Sequence, residues 1–210
     1  MRLAISFCMA FALAFTTNGA AADVQDRYAE LQAVPEAIND PDPLMRLALL
    51  EAIVAEGDAT KVQLALRTAF TVDDPNVRAL ALRAHLATYR TMVIQAEIPD
   101  GSEGGRNSIS GFINALGQTF VVSISGDDIT GTEFPIQTIN SFSGRNPEQF
   151  SGSGNVRGST ITLRGVFWSG NNSRTCSFEL HKYDGFVVSG EGSCDQTDGS
   201  FRFPVKTRLF

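Results

Sequence analysis

Three patterns of apolar and polar positions succeed one another along the chain. The first is a continuous apolar run from Leu3 to Phe15, broken only by Ser6 and preceded by Met1 and Arg2. The second, from Val24 to Ile98, is rich in Ala and Leu and spaces its apolar residues as one face of a helix requires. The third begins at Gly101 and alternates apolar with polar residues, as in Phe120, Val122 and Ile124 against Thr119, Val121 and Ser123. Period-two alternation between Gly-, Asn- and Asp-rich clusters predicts strands with one buried and one wet face.

The opening run is too short to cross a membrane as a helix, and Ala20-Ala21-Ala22 ahead of Asp23 fits the small-residue cleavage pattern of an exported precursor. Residues 1–22 are therefore read as a signal peptide. A mature chain would begin at Asp23, and no second apolar stretch downstream is long enough to span a membrane.

The helical part contains an internal repeat. Asp42-Pro43-Leu44-Met45-Arg46-Leu47-Ala48-Leu49-Leu50-Glu51-Ala52 returns 32 residues later as Asp74-Pro75-Asn76-Val77-Arg78-Ala79-Leu80-Ala81-Leu82-Arg83-Ala84. Asp as N-cap followed by Pro at the first helical position starts a helix in each copy, because the side chain accepts an orphan N–H and the missing proline N–H costs nothing there. Gly57 predicts a stop, and Asp58 predicts the cap of a second helix carrying Val62, Leu64, Ala65 and Ala69 on its apolar side. A further helix is expected over Val24 to Val34.

Over residues 40–92 this pattern resembles a HEAT-like repeat, and the resemblance implies that Arg46 and Arg78 pack and hydrogen-bond between stacked units. About three repeats are needed to bury a continuous core. Two leave an apolar flank, which the leading helix, the β part or another protein must cover. His85 falls at the repeat position of Ile53, with Tyr89 one turn on. The pair is a candidate interface, although His85 also reads as a core histidine with a local partner.

The helical segment is taken as residues 23–98, residues 99–105 (Pro-Asp-Gly-Ser-Glu-Gly-Gly) as a linker, and residues 106–210 as an antiparallel β domain. Strands are expected near 108–116, 118–125, 128–133, 135–142, 155–168, 174–183, 186–194 and 200–209. The fold class is thus α+β, with a helical-repeat segment followed by an antiparallel β-sandwich or barrel. Eleven of the fifteen phenylalanines lie in that second part.

Cys176 and Cys194 are the cysteines left after processing, and in an exported chain such a pair is most simply a disulfide. A two-residue loop at Asp184-Gly185 would put them on opposite sheet faces, whereas a three-residue loop brings them together. With Asp184, Gly185 and Phe186 in the loop they face each other; with Tyr183, Asp184 and Gly185 they are diagonal neighbours.

Composition narrows the function. Processing removes one charge, Arg2, leaving 16 basic and 23 acidic residues and a formal charge of −7. Clustered Lys and Arg, which phosphate binding needs, are missing, so nucleic acid is excluded as a partner. The motifs of nucleophile elbows, zinc proteases and phosphate loops are absent, and no metal or cofactor is expected. Glu179 and Glu191 could face each other beside His181 as an acid–base pair, but on a wet face like charges merely lean into solvent. Trp168, ahead of a polar loop, could contact a small-molecule ligand or plug the end of the core. The expectation is a non-enzymatic periplasmic or secreted interaction protein whose helical repeats bind another protein. The alternative is a β-domain module for a lipid, glycan or other small molecule; a third reading is a hydrolase using the two glutamates.

Overall fold

The structure, a computed structural model, describes residues 18–99, 119–125, 133–138, 149–169, 172–196 and 199–210, with side chains left aside for 18–22, 138, 149, 168, 169, 172, 196 and 199. The expected strand at 108–116 lies outside the described residues, as does nearly all of that at 128–133.

Four helices come first: α1 (Asn18–Ile38), α2 (Pro43–Glu56), α3 (Ala59–Thr71) and α4 (Pro75–Tyr89). Their starts follow the capping logic of the sequence. Asp42 accepts from the Leu44 N–H at 2.9 Å, Asp58 from Thr60 and Lys61 at 3.0 Å, and Asp74 from Asn76 at 2.9 Å. Gly57 ends α2 with φ of 77°, in the left-handed region open to a residue without Cβ. The leading helix is longer than expected: α1 runs past Pro35 because Val34 and Ile38 are buried and hold its last turn. The expected processing point after Ala22 lies within this helix.

Arg90, left-handed at φ of 53°, caps α4, and the chain passes directly into β1 (Thr91–Ala96). This corrects the expected helical segment, whose residues 91–96 form a strand. Met92, Ile94 and Ala96 are buried while Thr91, Val93 and Gln95 are exposed, a two-residue period too short to stand out after a long helical stretch.

Seven more strands follow: β2 (Thr119–Ile124), β3 (Phe134–Thr138), β4 (Gln149–Arg157), β5 (Thr160–Ser169), β6 (Asn172–Asp184), β7 (Val187–Gln196) and β8 (Gly199–Arg208). Each pairs antiparallel with the next, and β8 returns to β1 through Ile94 opposite Thr207, closing an up-and-down barrel. The sandwich alternative is thereby set aside. Closure leaves no free sheet edge, but it places β1, which precedes residues 99–105, among the barrel staves.

The interior is packed with aromatic rings. Phe178 lies 5.4 Å from Phe150, 5.5 Å from Phe120 and 6.1 Å from Phe203, centroid to centroid. Gly192 makes room for them, since a Cβ there would come within 2.6 Å of the Phe203 ring. Barrel and helices share one hydrophobic core.

Cys176 and Cys194 are directly opposite and bonded, both buried inside the barrel. The facing register is one of the two the sequence allows, but the loop differs. The turn is the two-residue Gly185-Phe186, and the odd residue is a bulge at His181, between the Leu180–Gly190 and Lys182–Ser189 pairs. A bulge re-aims the side chains beyond it. Here it turns Tyr183 to the face of buried Val188, where its hydroxyl donates to the Ser159 carbonyl at 2.5 Å and its ring stacks on Phe70 of α3.

Candidate functional site

Among the described residues of the barrel, the titratable side chains of interest lie on its outside. Glu179 and Glu191 are paired across β6 and β7 as expected, and both point into solvent. Arg202 meets Glu191 at 3.1 Å, and His181 Nδ1 is 3.9 Å from Glu179. They border an open groove of about 720 Å³ with Ser177, Ser193 and Arg202. Water reaches both carboxylates, and a guanidinium neutralises one, so the arrangement lends no support to hydrolysis. The inward face that a small ligand would need is occupied by phenylalanine. Trp168 lies opposite Gln149 and Ser173 in the sheet, and its side chain is outside the described residues. Two short acidic turns of the sequence fall at the limits of the described residues: Asp127-Asp128 lies wholly outside them and Asp195 to Gly199 does so in part.

His85 and Tyr89 lie at the seam between helices and barrel. The Phe210 ring is 4.8 Å from that of His85 and 5.4 Å from that of Phe186 in the β6–β7 turn, and Phe70 meets His85 edge-on at 6.1 Å. Arg67 lies over Phe210 at 5.1 Å and Arg78 over Tyr183 at 5.2 Å. His85 is 4% exposed, and its Nδ1 has no hydrogen-bond partner among the described residues. The local partner expected for a core histidine is replaced on that nitrogen by aromatic faces. Burial pushes the His85 pKa down to about 4 and the Tyr183 pKa up to about 12. His85 is thus spent on an internal contact, while Tyr89 remains partly exposed beside it.

The other flank of the helices is different. Two helical layers are stacked in register: Arg46 of α2 bonds Asp74, the cap of α4, at 2.8 Å, and Arg27 of α1 bonds Asp58, the cap of α3, at 2.6 Å. Burial pushes the Asp74 carboxyl up, but the N–H groups of Asn76 and Val77 and the Arg46 guanidinium outweigh it and hold the group below its ordinary value. Arg78, the repeat counterpart of Arg46, instead donates to the Val72 carbonyl at 3.1 Å, and the barrel stands where a next repeat would be.

At the opposite end nothing in the described chain covers α2. Its counterpart α4 buries Val77, Ala81 and Ala84 at no more than 7% exposure, whereas the equivalent Met45 is 48% exposed, Ala52 is exposed and Leu49 half-buried. Leu44 adds 74%, and on α1 Val24 and Tyr28 add 65% and 58%. Four of the six most exposed large apolar side chains among the described residues are therefore on α1 and α2. The uncovered flank follows from the repeat count, but Leu44 and Met45 could be singled out only once the packed faces were known. Comparison with protein-family models, with curated proteins and with solved structures returns no match, so the functional reading rests on this geometry.

Proposed function

We propose that the chain is an exported, non-enzymatic interaction protein in which α1 and α2 form the binding surface and the disulfide-pinned barrel is the body that holds them. The observation that carries this reading is the uncovered apolar face of α2, whose repeat counterpart in α4 is buried. Exposed apolar surface of this kind marks an interaction site more often than it is tolerated idly. The barrel supports the reading by capping the α4 end, which leaves one free flank. The phenylalanine-filled interior disfavours the small-ligand alternative. The reading of residues 1–22 as a signal peptide, together with the buried disulfide, supports an oxidising location, the periplasm or cell exterior.

The test is capture of partners from a periplasmic extract by the processed protein and by a Leu44→Asp, Met45→Asp variant. Both positions are exposed, so the variant retains the fold, as circular dichroism can verify. A specific partner lost in the variant is expected; a partner retained by both would move the binding surface off this flank.

A further inference from the structure

The uncovered flank also carries a charge pattern. Residues 23–57 hold eight carboxylates against two guanidiniums, a net −6, out of −7 for the whole processed chain. The two cations are already committed: Arg27 to Asp58 and Glu30, and Arg46 to Asp74 and the Asp40 carbonyl. No cation of this flank is left to balance Asp42, Glu51 or Glu36.

Asp42 repeats the chemistry of Asp74 with one half missing. In Asp74, Oδ1 accepts the helix N–H groups and Oδ2 accepts the Arg46 guanidinium from the neighbouring layer. In Asp42, Oδ1 accepts the Leu44 N–H, and Oδ2 accepts nothing from the described residues. Beside it lies the row Leu44, Met45, Ala48 and Ala52, exposed at helical spacing.

Resting on the interaction reading, we propose that the α1–α2 flank receives a cationic amphipathic helix of another protein. Its apolar face covers Met45, Ala48 and Ala52, and an arginine on its rim bonds Asp42 Oδ2 as Arg46 bonds Asp74. A second copy of this chain is the wrong occupant, because a self-complementary contact would set one net acidic surface against another, even with Lys61 of α3 bonding Glu56. The contact is small, so affinity comes from charge-assisted pairing on an apolar seat and weakens with salt.

The experiment titrates the processed protein with two designed helical peptides that share a Leu/Ala face, one carrying Arg on its rim and the other Glu at the same positions. The Arg peptide binds, the Glu peptide binds at least about tenfold more weakly, and Met45→Glu abolishes binding. Asp42→Asn is the decisive variant, since Asn still caps the helix while the charge is gone. It weakens the Arg peptide by about threefold to tenfold, with an unchanged circular dichroism spectrum. Equal affinity for the two peptides, indifference to Asp42→Asn, or a dimer that Met45→Glu dissociates would each overturn the proposal. If those results appear while Leu44→Asp, Met45→Asp still loses a captured partner, the interaction reading stands and only the partner chemistry falls. If capture is indifferent too, both fall.

Discussion

Acidification tests the aromatic seam, because His85 is a titratable group held where a charge is unwelcome. Phe70, Tyr89 and Phe210 surround its ring, and burial among them disfavours the charged imidazolium. The folded-state pKa of about 4 lies below the ordinary 6.5, so the unfolded chain takes up the proton first. The stability this group contributes is complete above pH 6.5 and is lost as pH falls towards about 4. That shift corresponds to a loss on the order of 1 kcal/mol at pH 5.5 and about 3 kcal/mol at pH 4. Asp58 and Asp74, whose pKa values are lowered from an ordinary 3.8, begin to lose their contribution only below about pH 5 and do so in both proteins compared. Urea titrations at pH 7, 5.5 and 4 should show wild type losing that much more than His85→Phe, which keeps an aromatic ring but cannot titrate. Parallel pH dependences for the two proteins would refute the reasoning.

Denatured, unreduced mature protein should begin at Asp23 and show no free thiol, and Cys176→Ser with Cys194→Ser should cost about 3 kcal/mol in urea. Residues 106–210 alone lack β1, so that fragment should give exchange-broadened amide spectra, whereas residues 90–210 should give a dispersed spectrum; a well-dispersed shorter fragment would show that β1 is dispensable. Gly190→Ala should lower the urea midpoint more than Gly192→Ala, since its Cβ would lie 1.7 Å from the Glu179 carbonyl oxygen while that of Gly192 meets rings that can shift.

The helix starts were legible because capping is local: an Asp-Pro pair and a glycine stop act within one turn. The disulfide was legible because a strand fixes side-chain parity, while parity left its register open between facing and diagonal, and the structure has the facing one. The position of the odd residue was not legible, since a three-residue loop and a bulged two-residue turn give the same parity at Cys176. The packing of Tyr183 on Phe70, more than a hundred residues away in the chain, is the contact that separates them. β1 was missed because its alternation spans one short strand, directly after a helix, whose partners β2 and β8 lie far along the chain. The site divides in the same way. An uncovered flank follows from counting repeats, whereas the unfilled half of Asp42 needed Asp74 beside it for comparison.

The closing pair of the barrel, Ile94 with Thr207, has a bearing on when the protein can fold. A chain emerging amino-terminus first presents α1 to α4 early, but β1 then waits through more than a hundred residues for one of its two neighbours, and Phe210 arrives later still to cover His85. Until that last strand is free, Met92 and Ile94 have half a sheet, and the helical layers have no wall behind α4. Such long-range pairing makes completion slow relative to local helix formation. It also makes it late, so the carboxy-terminal residues act as the latch whose arrival commits both halves of the molecule at once.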